Sequence, residues 1–273
     1  MRVFIFGAGK VGRALARASR AAGLSVTLRA ARRGPPARAI VADLLVLAVR
    51  ERDLPALSKA LAEQRLVGPR TACVHVAGAL GSEVLEPLRA VSAGVGQMHP
   101  MISFASTRVF PTLRRGNVRV EGDREAVTRA SALARRLGMS PRALPGLDTV
   151  GYHAAAGLLA NGAAALAAVS GDVLVRSGVP ASATGKMLGP LLRSVAENVE
   201  RLGFPESLTG PIRRGDAAGV AKHLAALQTR LPAAVALYKA MGLAQLPLAR
   251  ALSDASKGAL AEIDALLRTP PGT

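Results

Sequence analysis

From residue 2 to about 147, short apolar runs alternate with stretches of helical periodicity. "RVFIFG" leads into "KVGRALARASRAAG", then come "SVTLRA", "ADLLVLAV" and the helical "ERDLPALSKALAEQRL". "TACVHVAG", "GSEVLEPLRAVS" and "GVGQMHP" follow, then a loop, "NVRVEG", the helix-like "DREAVTRASALARRLG" and "SPRALP". Uninterrupted apolar strands separated by helices predict an α/β domain whose parallel sheet is covered on both faces. From about 148 the strands stop and helix follows helix, broken at "SGVPAS", "LGFPESLTGPIRRGD" and "MGLAQLP". The change of texture predicts a boundary near 145–150, with the α/β domain over 1–147 and an all-helical domain over 148–273.

The helical half opens on "GYHAAAGLLANGAAAL", small and apolar except for one histidine and one asparagine. His153, Gly157 and Asn161 fall at i, i+4 and i+8, on one stripe that drifts about 80° over roughly 12 Å. A stripe of that kind either packs as satisfied core or faces a site.

Composition narrows the classes. The chain has 273 residues, half of them hydrophobic, with 36 Lys+Arg against 18 Asp+Glu and a net charge of +18. Such a balance attracts anions of any kind. With no tryptophan, five phenylalanines, two tyrosines and no nucleic-acid module, phosphorylated small molecules suit the charge better than nucleic acid. The single Cys73 excludes an intramolecular disulfide framework and supplies no zinc-type cluster, so no metal site is expected. No apolar run reads as long enough to span a bilayer, and "MRVFIFGAG" reads as a first strand and not a signal sequence. The expectation is a cytoplasmic protein without membrane partners.

"FIFGAGKVG" places Gly7, Gly9 and Gly12 in a G-x-G-x-x-G arrangement that follows a strand and opens a helix. Gly7 makes the turn, Gly9 admits a diphosphate, and Gly12 lets helix and strand pack closely. Ala8, Lys10 and Val11 complete the loop, and the helix N-terminus offers its free N–H groups. About 20 residues on, an NAD-selective chain would carry an acid for the ribose 2′-hydroxyl. Here the chain reads "LRAARR". Arg29, Arg32 and Arg33 would pair with a 2′-phosphate, so the expected cofactor is NADP(H). The alternative is a solvated basic turn.

Ligands of open α/β sheets sit beyond the carboxyl ends of the strands. Val49 follows the third such strand, His75 and Gly78 the fourth, and His99 and Pro100 the fifth. Val49 and His75 are read as lining the cofactor, Gly78 and Pro100 as lining the substrate, and His99 as part of the catalytic group. His75 could instead be packed at a strand end, and His99 could serve the turn before proline.

These features together resemble the 6-phosphogluconate-dehydrogenase-like two-domain reductases, whose members include ketopantoate reductase and pyrroline-5-carboxylate reductase. Within that group the chain is most similar to the Rossmann-like proteins with a "domain of unknown function 2520". "FGAGKVG", "HVAGALG", "HPMISF", "YHAAAGLLANGAAAL" and "LTGPIRRGD" carry the likeness, in order along the chain. Ketopantoate-type reductases carry a Lys-x-x-x-Asn-x-x-x-Asn line on the first helix of their second domain. Aligned on that spacing, this chain has His153, Gly157 and Asn161. The resemblance then implies His153 as proton donor and Asn161 as the group that orients the substrate. Histidine is well matched to proton transfer near neutrality.

"LTGPIRRGD" supplies Thr209, Arg213, Arg214 and Asp216 as substrate-side candidates. Two adjacent arginines could hold a carboxylate, while the threonine and aspartate could equally be helix caps. Lys186 and Asn198 read as solvated or at a subunit contact. The expected activity is NADPH-dependent hydride transfer to a small 2-oxo acid such as ketopantoate. The alternatives are an imine or pyrroline-carboxylate-type reductase, and a non-catalytic nucleotide-binding interaction protein. The apolar helical half also leads us to expect a homodimer.

Overall fold

A computed structural model describes residues 1–270. Two compact units divide between Ala160 and Asn161. In the first, β1 (Arg2–Phe6), α1 (Lys10–Ala21), β2 (Ser25–Arg29), β3 (Leu44–Leu47), α2 (Leu54–Glu63) and β4 (Ala72–His75) follow in turn. The short α3 (Glu86–Arg89), β5 (Gly94–Pro100), β6 (Asn117–Gly122), α4 (Arg124–Arg136) and β7 (Ser140–Arg142) complete it. The seven strands form one sheet in the order β2-β1-β3-β4-β5-β6-β7.

Side-chain alternation builds a core on each face. Val3, Ile5, Leu44, Val46, Val74, Met98 and Val118 pack with Leu15 of α1 and Leu133 of α4. Phe6, Leu45, Leu47, Cys73 and Val95 point the other way, toward Leu54 and Leu61 of α2 and Leu88 of α3. Cys73 is fully enclosed, and burial pushes its thiol up to about 12, a hydrogen bond with Ser92 offsetting only part of the shift.

Two expectations change. The sheet is parallel from β2 through β5, but β6 runs antiparallel to β5, with Gln97 opposite Glu121 and His99 opposite Arg119. No helix separates those two strands, and a connection without a crossover helix returns the chain antiparallel. The helical texture begins at α5 (Thr149–Arg176), close to the expected 147/148 boundary, but the two units divide inside that helix.

In the second unit α5 continues and is followed by α6 (Ala181–Leu202), α7 (Ala217–Arg230), α8 (Ala233–Leu252) and α9 (Lys257–Arg268). Val220, Leu246, Leu260, Ile263 and Leu267 of α7, α8 and α9 close a core around Ile212. Asp216 caps α7 by accepting from Gly219 N at 2.8 Å, and Ser256 caps α9 by accepting from Ala259 N at 3.2 Å. α5 and α6 contain no buried residue. α5 also corrects the reading that no apolar run is long enough to span a bilayer. It is 28 residues long and includes an 18-residue window of mean hydropathy 1.7, enough by length and composition to cross a bilayer. Its many alanines keep the mean hydropathy high without a long run of large apolar side chains.

Candidate functional site

The end of β1 is built for close backbone approach. Gly7 has φ of 118°, and a Cβ there would overlap the carbonyl of Ala48. A Cβ on Gly12 would overlap the carbonyl oxygen of Gly7, so helix and turn can meet only through glycine. Gly9, the N-cap of α1, has open space where its side chain would stand. No side chain caps this helix, and its first turn holds no acid. The first-turn N–H groups therefore face a space that an anion can fill, which is the chemistry a cofactor diphosphate requires. Arg13 ties the turn together by donating from Nε to Ala8 O at 2.9 Å. Lys10 is exposed at the rim, Val11 packs into the sheet core, and Val49 packs against the opposite core face.

At the end of β2 the three arginines separate into two kinds. Arg29 is committed to its own turn: Nε donates to Gly34 O at 2.7 Å, and Nη2 donates to Arg33 O at 2.9 Å and Pro35 O at 3.0 Å. It shapes the loop, which corrects its expected role as a phosphate ligand. Arg32 and Arg33, on the 3-10 turn Ala31–Arg33, are exposed and have no acid in that turn.

Beyond β4 the chain turns through Val76–Ser82, and most of the polar side chains beneath it serve to hold that turn. His75 is fully buried; its Nδ1 accepts from Ala77 N at 3.2 Å, so Nε2 carries the proton and donates to Gly81 O at 2.9 Å. With both nitrogens used, His75 is a fastener and not the cofactor contact expected of it. Burial holds its pKa below the ordinary value, against the pull of the Gly81 carbonyl and of Glu83 and Glu51. Gln97, buried on β5, donates from Nε2 to both Ala77 O (2.7 Å) and Leu80 O (2.6 Å). Arg119 on β6, 3% exposed, donates to Gln97 Oε1 at 2.8 Å and pairs with Glu121. Glu121 also accepts from Ser82 N at 3.2 Å, and Glu51 accepts from Ala79 N at 3.3 Å.

The turn so held brings Gly78 to the candidate reaction centre. A Cβ on Gly78 would overlap His153 Nδ1 and lie 2.8 Å from His99 Nε2. The His99 ring stands edge-on to both neighbours, 5.7 Å from His153 and 5.8 Å from Tyr152 between centroids. Burial, then the neighbouring His153 and Arg119, lowers His99 to about 4, so it is a neutral imidazole at physiological pH. Its Nδ1 is buried without a hydrogen-bond partner. Tyr152 is half-buried and its phenol is raised by burial. His153 is the more exposed ring. Asn161 is exposed two turns further along α5. Pro100 is buried in the ladder opposite Val118, a structural place and not a substrate contact. Glu51, Gln97, Arg119, Glu121 and Tyr152 were not singled out from the sequence.

In the second unit, the loop "LTGPIRRGD" is largely self-contained. Arg213 Nε pairs with Asp254 at 2.6 Å while Nη1 donates to Leu208 O (2.8 Å) and Glu206 O (3.1 Å). Asp216 is spent as the α7 cap. Both therefore serve the loop, a correction to their expected substrate roles, while Thr209 and Arg214 remain exposed.

Residues 1–100 match the family model of the Rossmann-like domain, and residues 117–245 match that of the domain of unknown function DUF2520. No curated protein matches the chain in sequence. Among solved structures it is similar to a protein of Thermotoga maritima, at 20% identity and a TM-score of 0.66 over 91% of this chain and 98% of the other. It is also similar to Plasmodium falciparum pyrroline carboxylate reductase with NADP bound, at 13% identity and a TM-score of 0.61 over 97% and 98%. A Streptomyces aurantiacus imine reductase is 16% identical, with a TM-score of 0.53 over 98% and 100%. At these identities the likeness is one of fold.

Proposed function

We propose that this chain, which belongs to the proteins joining a Rossmann-like domain to a DUF2520 domain, is an NADP-dependent reductase of small C=N substrates. The observation that carries the reading is the glycine cradle, where Gly7 and Gly12 admit no side chain and Gly9 leaves the helix N-terminus open. When bound, the reduced nicotinamide supplies the hydride. The residues of the chain hold, shield and protonate. First-turn N–H groups of α1 take the diphosphate, and Arg32 and Arg33 take the 2′-phosphate. As the new C–H bond forms and the C=N π bond breaks, the electron pair left on nitrogen takes a proton from His153. His99, neutral, contributes a hydrogen bond and an apolar edge and no charge.

A C=N substrate is favoured over a 2-oxo acid of ketopantoate type by the fold likeness to pyrroline carboxylate and imine reductases, which extends over nearly the whole chain. The experiment is a fluorescence titration with NADPH and with NADH, followed by NADPH oxidation with cyclic imines and, separately, with 2-oxo acids. Tight NADPH binding and turnover of imines is the expected result. Turnover of 2-oxo acids alone would move the substrate to the C=O class, and failure to bind either nucleotide would overturn the reading.

A further inference from the structure

We propose that the first unit carries a second anion site, separate from the glycine cradle, that takes a small molecule bearing two phosphate groups. A cleft of about 780 Å³ opens between residues 14–22 at the end of α1, residues 110–114 of the loop before β6, and the end of α4. Small-ligand pockets span about 300–1,000 Å³, so the size is suitable. Arg17 of α1, Arg114 of the loop and Arg135 and Arg136 of α4 line the cleft, and no acid does. None of Gly7, Gly9, Gly12, Arg32 and Arg33 is among its walls.

Elsewhere in this unit arginines find acids: Arg89 pairs with Asp123, Arg119 with Glu121 and Arg129 with Glu125. In the cleft, the side chains of Arg17, Arg114 and Arg135 have no hydrogen bond or ion pair among the described residues. A ring holds Arg17 instead. Its guanidinium stands over Phe110, 5.1 Å from the centroid, which leaves its N–H donors open. Gly138 lets the Arg114 stem lie against the end of α4, where a Cβ would stand 3.1 Å from Arg114 Cγ. Arg136 donates from Nη2 to Ala22 O at 3.1 Å, and with Arg135 it complements the carbonyl end of α4. Arg17, more than a turn short of the end of α1, and Arg114, in a loop, answer to no helix end. Four guanidiniums carry four positive charges, and a phosphate group carries about −1.5 to −2 at neutral pH, so two phosphate groups neutralise the cleft. Planar guanidinium forks suit such oxyanions, taking each through paired N–H donors. A nucleic-acid strand fits less well. The arginines come from three elements around one cleft and not from a stripe along the surface, and Phe110, the one aromatic wall, is taken up by Arg17 and not left to stack a base.

The chain has no tryptophan, so Phe110→Trp puts a single reporter in the cleft and keeps an aromatic face under Arg17. The test is a fluorescence titration of that full-length protein with inorganic pyrophosphate, at physiological ionic strength in metal-free buffer. A saturable change with one pyrophosphate per chain is expected. Adding Arg17→Gln/Arg135→Gln should weaken it at least about tenfold, and adding Arg32→Ala/Arg33→Ala should leave it unchanged. If the reporter protein does not fold, calorimetry of the wild type against Arg17→Gln/Arg135→Gln decides, the variant losing one pyrophosphate site. The absence of a saturable change, equal affinity in the Arg17→Gln/Arg135→Gln protein, or tighter binding of a single-stranded oligonucleotide than of pyrophosphate would overturn the proposal. NADPH titration of the same proteins reads the reductase assignment separately, since the cradle residues lie outside the cleft.

Discussion

Gly78 faces the His153 ring so closely that a side chain at position 78 would overlap Nδ1. This closeness fixes where the ring stands relative to His99, because the same absent Cβ would press on His99 Nε2 at 2.8 Å. Gly78→Ala must push one ring or both away. Displacements of about 1 Å near a reaction centre cost on the order of 100-fold in rate. The expected outcome is a fall in kcat of that size with the NADPH dissociation constant unchanged, measured by steady-state kinetics and titration. An unchanged kcat would remove His153 from the chemistry.

The three glycines of the cradle should respond differently to alanine. At Gly12 the new methyl meets backbone, which cannot move aside, so Gly12→Ala should lower both the melting temperature and nucleotide affinity. At Gly9 it meets nothing in the protein, so Gly9→Ala should fold with the wild-type melting temperature yet bind NADPH at least about tenfold more weakly, a loss of about 1.4 kcal/mol. Calorimetry and titration separate the two effects. Equal affinity in Gly9→Ala would mean that the cradle is scaffold only.

The arginines after β2 divide in the same way. Arg29→Ala removes three hydrogen bonds to the Arg33–Pro35 turn and should lower the melting temperature. Arg32→Ala/Arg33→Ala should leave the melting temperature unchanged and erase the preference for NADPH over NADH. The ratio of the two dissociation constants is the readout.

Acid should destabilise the first unit through its buried histidines. His99 titrates at about 4 in the folded chain and His75 below its ordinary value, in both cases chiefly because burial penalises the imidazolium. Unfolded, both protonate near pH 6.5. Between those values the unfolded chain binds more protons, so this stability is present above about pH 6.5 and lost as the pH falls toward 4. For His99 the loss is on the order of 3 kcal/mol. Melting temperatures from neutral to mildly acidic pH should therefore fall less steeply in His99→Gln than in the wild type. Parallel slopes would show that the ring is solvated.

What could be read from the chain was local. The glycine cradle follows from residues within one turn of each other, and the apolar strands β3 and β4 announce themselves in four-residue runs. The role of His75 was not legible, since it depends on the Gly81 carbonyl folding back over a ring already engaged by Ala77. Gln97, Arg119 and Glu121 sit on alternating strand positions that look like ordinary polar faces until β5 and β6 pair. At Arg29 the sequence shows a guanidinium and not the carbonyls of Arg33, Gly34 and Pro35 that it finds. The sequence does carry one signal for an antiparallel β6, since the stretch from 101 to 116 that leads to it contains no helix.

Cys73 gives the molecule a clock. Thiol reagents attack only the thiolate, and a sulfur enclosed in the middle of the sheet that deprotonates at about 12 offers almost none while β4 stays paired. Every labelling event then records an opening of the strands on either side of it. Because no second thiol exists in the chain, the record is unambiguous, and its rate counts how often the middle of the sheet comes apart.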